Sequence, residues 1–238
     1  MSLRPFVVAV EPEHMARLNF AVSAARTAEL DWLKQAHEDE GTKYMRGRAL
    51  SEARARIRVE RARLRAKGKL AGTRDLVLAR EVRAELRSRS MLGPYEPLPE
   101  DQVATPGRRV GTGPQHYSRF SGDQPTTLTE RMAVRLPAEL GEQLVRSCHW
   151  VSAPAVEALL EWQQLWGDGP TVIMREAQRR GGATLLDMLC AAFAKRPTAD
   201  AILKKSQLQR QIITTGDIFR SAIDRLPEPP PEPDTATD

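Results

Sequence analysis

The sequence predicts a mostly α protein: an Arg-rich N-terminal helical region, a Pro/Gly-rich linker, a short strand-helix-helix unit and C-terminal helices. Three observations carry that prediction. Hydrophobic residues make up 41% of the 238 residues but aromatic ones only 5%, so Leu, Val and Ala must fill the core, which favours helices. Apolar residues recur at three- to five-residue intervals from Met15 to Leu33, as one side of a helix does. One stretch, Arg131 to Leu136, alternates in polarity instead, as a half-buried strand does.

Residues 5–10, PFVVAV, read as a short strand or a buried lead-in, with Pro12 placed where a first helical turn tolerates it. A helix over about 12–38 follows, its apolar side formed by Met15, Leu18, Val22, Ala25, Leu30 and Leu33. The next, about 43–67, has a narrow stripe of Leu50, Ile57 and Leu64 with Arg54, Arg58, Arg61 and Arg65 aligned beside it, while Arg56, Arg63 and Lys67 take the opposite side. A third, about 72–89, buries Leu78, Val82 and Leu86.

Residues 93–128 hold many prolines and glycines without an apolar period and read as a linker. GRRVGTG inside it lacks the Lys and Ser/Thr of a phosphate-binding P-loop. The regions are therefore 1–92, basic and helical; 93–128, linker; 129–168, strand-helix-helix; 169–226, C-terminal helices; and 227–238, a low-complexity disordered tail. In the C-terminal region ATLLDMLCAAFAK is apolar enough to require burial, and Thr198 and Asp217 read as helix caps. No internal repeat is evident.

Charge is unevenly spread. From Lys43 to Arg89 there are 16 Lys and Arg against five Asp and Glu, a net of +11 in a chain whose total is +5. Such a segment suits phosphate, and Arg suits it better than Lys because its planar fork bonds two oxygens at once. Arg54, Arg58, Arg61 and Arg65 are the candidate phosphate contacts; the other reading of them is a solvated helix face. Tyr44 alone offers no stacking platform for single strands, which favours duplex nucleic acid.

The four histidines are scattered, no zinc-ligand spacing or nucleophile motif occurs, and no cofactor is expected; the sequence reads as a non-enzyme. Cys148 and Cys190 read as buried free thiols. No signal segment or membrane span is evident, so a cytoplasmic location without membrane contact is expected.

In Arg131 to Leu136, Met132, Val134 and Leu136 share one face and Arg131, Ala133 and Arg135 the other. Pro137 ends the strand and opens a helix in which Leu140, Leu144, Val145 and Cys148 share a side. Ser152 stands where an N-cap would precede Pro154, and Val156, Leu159, Leu160, Trp162 and Trp166 follow on a second amphipathic helix. This order, a strand ending VRLP, a helix, a short turn and a Ser-capped helix, resembles the ribbon-helix-helix family of DNA-binding proteins.

The resemblance implies a homodimer whose two strands form an antiparallel ribbon in the major groove. It implies that Arg131, Ala133 and Arg135 face base edges, that Ser152 and Ala153 hold a phosphate, and that Val134, Leu136, Leu140, Leu144 and Leu160 form the dimer core. The implied function is sequence-specific or semi-specific binding of double-stranded DNA, for transcription regulation or for plasmid or phage DNA maintenance in a bacterial setting. Two alternatives stay open. The strand can pair within its own chain, with FVVAV, in an ordinary α+β domain. Or the chain is a helical assembly or adaptor protein whose C-terminal helices bind a protein partner and whose basic face meets an acidic surface.

Overall fold

The structure is a computed structural model that describes residues 2–99, 128–167, 173–174, 177–193 and 196–230. Most of the linker (100–127) and the end of the tail (231–238) lie outside the described residues. The element order is β1 (Leu3–Val10), α1 (Pro12–Asp39), a 3-10 turn at Thr42–Tyr44, α2 (Gly47–Ala66), α3 (Arg74–Ser88), β2 (Glu130–Pro137), α4 (Ala138–Trp166), α5 (Leu185–Phe193), α6 (Ala199–Gln211) and α7 (Thr215–Asp224). The chain is mostly helical, with one two-stranded antiparallel sheet among the described residues.

β2 pairs within its own chain, with β1, from Leu3 opposite Pro137 to Val10 opposite Glu130. This answers the alternative that the sequence left open, and it corrects the two-chain ribbon. The reason is visible in β1: Phe6, Val8 and Val10 alternate with more exposed residues, so it offers the same one-sided oily face as Met132, Val134 and Leu136. Those six side chains are buried together with Leu18 of α1, Leu78, Val82 and Leu86 of α3, Leu144 and Cys148 of α4 and Phe219 of α7. Val134, Leu136, Leu140 and Leu144 thus belong to the chain's own core rather than to a dimer core. Leu160 is 41% exposed and takes no part in it.

The second correction concerns α4, which runs unbroken through residues 150–153 with Pro154 inside it. Ser152 is no cap: it is buried, its hydroxyl donating to the Ile213 carbonyl and accepting from the Ile213 N–H. It pins the strand-like link between α6 and α7 to the middle of α4, so neither it nor Ala153 sits at a helix N-terminus. A proline inside a helix costs about 3 kcal/mol. That cost is offset where Ala155, Val156 and Leu159 of the same helix bury against Ile212 and Leu208.

An antiparallel strand pair has a local two-fold axis, and the long helix after each strand and a later capped helix in each half keep to it. The axis through the Val7–Ala133 pair carries Val10 onto Leu136 and Pro12, the first residue of α1, onto Ala138, the first residue of α4. Buried Leu18 and Ala21 then correspond to buried Leu144 and Ser147. Each long helix is followed later by a Thr-capped helix: Thr73 accepts from Leu76 N–H at α3, and Thr214 from Asp217 N–H at α7. α3 packs on β2, α7 on β1, and the two on each other.

Even polar links correspond. Arg17 of α1 donates to the Asp224 carbonyl at the end of α7, and Gln143, its counterpart on α4, donates to the Met91 and Gly93 carbonyls beyond α3. The absence of an internal repeat in the sequence is therefore corrected at the level of structure: matched positions share burial and role, not residue type. The segment boundaries at 92/93 and 128/129 do not separate cores, because both sides of the linker supply one strand of the same sheet.

Smaller differences concern the C-terminal region. Thr198 caps α6 as expected, whereas Asp217 is the third residue of α7 in a reciprocal pair with the true cap, Thr214. The apolar α5 is not buried: Leu185, Leu186, Met188 and Leu189 are all exposed, and so is Cys190, in contrast to buried Cys148. Burial pushes the Cys148 thiol far up, out of the range in which it ionises. Gly167, the expected start of a turn, ends α4 with a left-handed φ of 68° and an N–H bond to the Gln163 carbonyl, while the rest of that turn and the helix start at Pro170 lie outside the described residues. No helix among the described residues is long and apolar enough to cross a membrane.

Candidate nucleic-acid interface

The outer face of the ribbon is built by strand parity. With Met132, Val134 and Leu136 held in the core, Arg131, Ala133 and Arg135 must project the other way, and all three are exposed. Across the ribbon they stand opposite Ala9, Val7 and Pro5 respectively. Pro5 is exposed and Val7 and Ala9 are half-buried, so the face is a low apolar strip with an arginine towards each end of β2. Neither arginine side chain makes an ion pair or hydrogen bond among the described residues.

Each free edge of the ribbon is met at one point by a helix side chain. Asp75, in the first turn of α3, accepts from the Arg135 backbone N–H at 3.1 Å on the β2 edge. On the β1 edge Arg220 of α7 donates to the Ala9 carbonyl at 2.9 Å. Arg135 and Ala9 are two-fold counterparts, so the edges are closed at corresponding points. These contacts take up one backbone group on each edge and discourage edge-to-edge pairing with other strands there. The helices approach the opposite, inner face tightly: a Cβ added at Gly141 would lie 3.1 Å from Phe6 and Arg4 side-chain carbons.

The four aligned arginines of α2 divide into two pairs. Arg61 and Arg65 turn inward to Glu29 of α1, which is only 2% exposed. Arg61 Nε lies 2.6 Å and Arg65 Nη2 2.6 Å from Glu29 Oε1, while the Gly72 N–H donates to Oε2 at 2.8 Å. Burial alone pushes the Glu29 carboxyl up. Hydrogen bonds from Arg65, Arg61 and the Gly72 N–H outweigh that and hold it below the usual carboxylate range. These two arginines are thus structural, which corrects their reading as phosphate contacts.

Arg54 and Arg58 remain exposed and make no ion pair among the described residues. Arg56, read as lying on the far side of the helix, is bound to Glu40 at the end of α1. The signal for Glu29 was present in the sequence: it continues the buried spacing Leu18, Val22, Ala25 of α1, and an acid on a core stripe needs cationic partners.

Other titratable clusters serve the fold. Glu85 of α3 is buried between Arg89, Arg225 and Ser88, and it too is held low, its burial outweighed first by Arg89 and then by Arg225 and Ser88. His14 lies between Glu11 and Asp224. No group of three metal-binding side chains occurs among the described residues. A groove between α1 and α2 with a volume near 630 Å³ is lined by Trp32, Ile57 and Val59 and by Asp39, Glu40, Glu60 and Arg56, whose guanidinium is already paired with Glu40. Comparison with protein-family models, with curated proteins and with solved structures finds no match to this chain.

Proposed function

We propose that the chain binds double-stranded DNA, with the outer face of the β1–β2 ribbon in the major groove and Arg54 and Arg58 of α2 adding phosphate contacts. The observation that carries the reading is the pair of arginines, Arg131 and Arg135, exposed and without an ion-pair partner among the described residues, on the outer face of a one-sided two-stranded ribbon. B-DNA's major groove is about 12 Å wide and admits such a ribbon, and an arginine there bonds guanine through two acceptors. The affinity of the resemblance noted in the sequence lies in this face. The partner strand, however, comes from the same chain, so no homodimer is needed to complete the ribbon. Sequence-specific or semi-specific binding in gene regulation or plasmid or phage DNA maintenance fits this proposal.

A second reading rests on a different observation. Leu185, Leu186, Met188 and Leu189 of α5 and, separately, Ile202 and Leu203 of α6 are exposed, apolar side chains of the kind that protein partners cover. Salt separates the two. Binding of the full chain to labelled duplexes, measured by fluorescence anisotropy from low to high salt, is expected to weaken log-linearly with a slope set by the phosphates contacted. Retention of a partner that responds little to salt, with no duplex binding at any concentration, would favour the assembly reading.

A further inference from the structure

The ribbon is two-fold in its backbone but not in its side chains. The axis through Val7 and Ala133 relates Pro5 to Arg131 and Ala9 to Arg135. One strand therefore presents two arginines where the other presents a proline and an alanine. In a ribbon made of two identical chains these positions would be equal, and the two halves of a bound duplex would be read alike. Here one chain supplies both strands, and the two halves differ in chemistry.

We infer that a single copy of this chain recognises an asymmetric, non-palindromic duplex site, resting on the DNA-binding reading above. Arg131 and Arg135 each take a guanine on the β2 side. They are four residues apart on one strand, about 13 Å at the rise of a β-strand, which matches about four base-pair steps of duplex. The β1 side presents apolar residues alone, Leu3, Pro5, Val7 and Ala9. Such small apolar groups accept a thymine methyl and offer no hydrogen bond to distinguish guanine from cytosine. The β1 half of the site is correspondingly A·T-tolerant and weakly specified, and the β2 half carries the discrimination. The ion pairs of the fold strengthen the case. Arg61, Arg65, Arg89 and Arg225 are committed to buried carboxylates, whereas the ribbon arginines meet no acid among the described residues.

The test is selection of bound sequences from a pool of random duplexes by the full chain, followed by native mass spectrometry of the selected complex. The expected result is a non-palindromic motif with two guanine positions about four base pairs apart, occupied by one chain. Arg131→Ala and Arg135→Ala should each lose preference at one of those positions, on the order of tenfold, with unchanged thermal melting. The double variant Pro5→Arg with Ala9→Arg makes the two halves alike and should shift the selected motif towards a palindrome. A palindromic motif held by two wild-type chains would overturn the inference while leaving DNA binding intact. So would a motif unaffected by both alanine variants, since discrimination would then lie elsewhere. Recovery of no duplex from the pool would instead remove the DNA-binding reading itself.

Discussion

The two halves of the fold place different chemistry at the same point. Glu29 of α1 and Ala155 of α4 are counterparts under the ribbon's two-fold axis, and both are buried. Around Ala155 the cover is apolar: Val156, Leu159, Ile212 and Leu208 close the far end of α4, and Trp162 adds an indole N–H bond to the Ala201 carbonyl. Around Glu29 the cover is ionic, with Arg61 and Arg65 of α2 and the Gly72 N–H converging on one carboxylate. An apolar contact needs only volume. A buried carboxylate needs every partner in place, and each missing one leaves a desolvated polar group. The first half is therefore the more brittle of the two, although both use a long helix to extend the core away from the sheet.

The largest effect tests what the halves share. Val134→Asp puts an unpaired charge between both strands and their helices and should destabilise the chain by at least about 4 kcal/mol, enough to prevent cooperative folding. Ala133→Asp, one residue away on the outer face, should cost less than about 1 kcal/mol. Urea titration followed by circular dichroism distinguishes them, and equal losses would mean that the outer face is covered.

Next come the counterparts themselves. Glu29→Ala leaves two arginines and an N–H without their acceptor and should cost about 3–5 kcal/mol. Ala155→Gly removes one methyl and adds backbone freedom within a helix, for about 1–2 kcal/mol. Gly72→Ala belongs with the first, because its Cβ would clash with the Glu29 carboxylate. Thermal melts that rank Ala155→Gly above Glu29→Ala would reverse the assignment of the brittle half.

Acid should expose the same contrast. The Glu29 carboxyl is held below its ordinary value in the folded chain, as is that of Glu85. A depressed folded pKa contributes stability that is full above the unfolded value of about 4.3 and is lost as pH falls through the folded value. Stability should thus decline below about pH 4.5, and Glu29→Gln should flatten part of that decline. A Gln variant whose acid unfolding curve keeps the wild-type slope would show that the clasp around Glu29 does not bear on it.

Much of this was legible in the sequence and some was not, for physical reasons. Strand parity at Met132, Val134 and Leu136 follows from two-residue alternation, and β1 was visible as FVVAV; which strand it pairs with depends on long-range closure that no local pattern encodes. The unbroken α4 was hidden by local chemistry, since Ser152 followed by Pro154 matches a helix start. The competing signal was the core spacing itself, in which Leu144, Cys148, Ser152, Ala155 and Leu159 continue one stripe across the supposed turn. The outward arginines were legible from parity. The inward turn of Arg61 and Arg65 was not, because it depends on an acid more than thirty residues away. The two-fold relation was invisible because matched positions such as Glu29 and Ala155 share burial without sharing chemistry.

The smallest expected effect separates the two pairs of arginines on α2. Arg54 and Arg58 lie on the same helix as Arg61 and Arg65 but reach no carboxylate among the described residues. Replacing both with Gln should therefore leave stability within about 0.5 kcal/mol of wild type. If they contact phosphate, duplex affinity should fall alike for all sequences, and the salt slope should decrease by about one for each arginine removed. Arg61→Gln should do the reverse, lowering the melting temperature through the loss of a partner for buried Glu29 while leaving the salt slope of the folded protein unchanged. Calorimetry and salt-dependent anisotropy on the two variants read the two quantities independently. A salt slope that moves only with Arg61→Gln would place the phosphate contact on the pair bound to Glu29 and leave Arg54 and Arg58 as a solvated face.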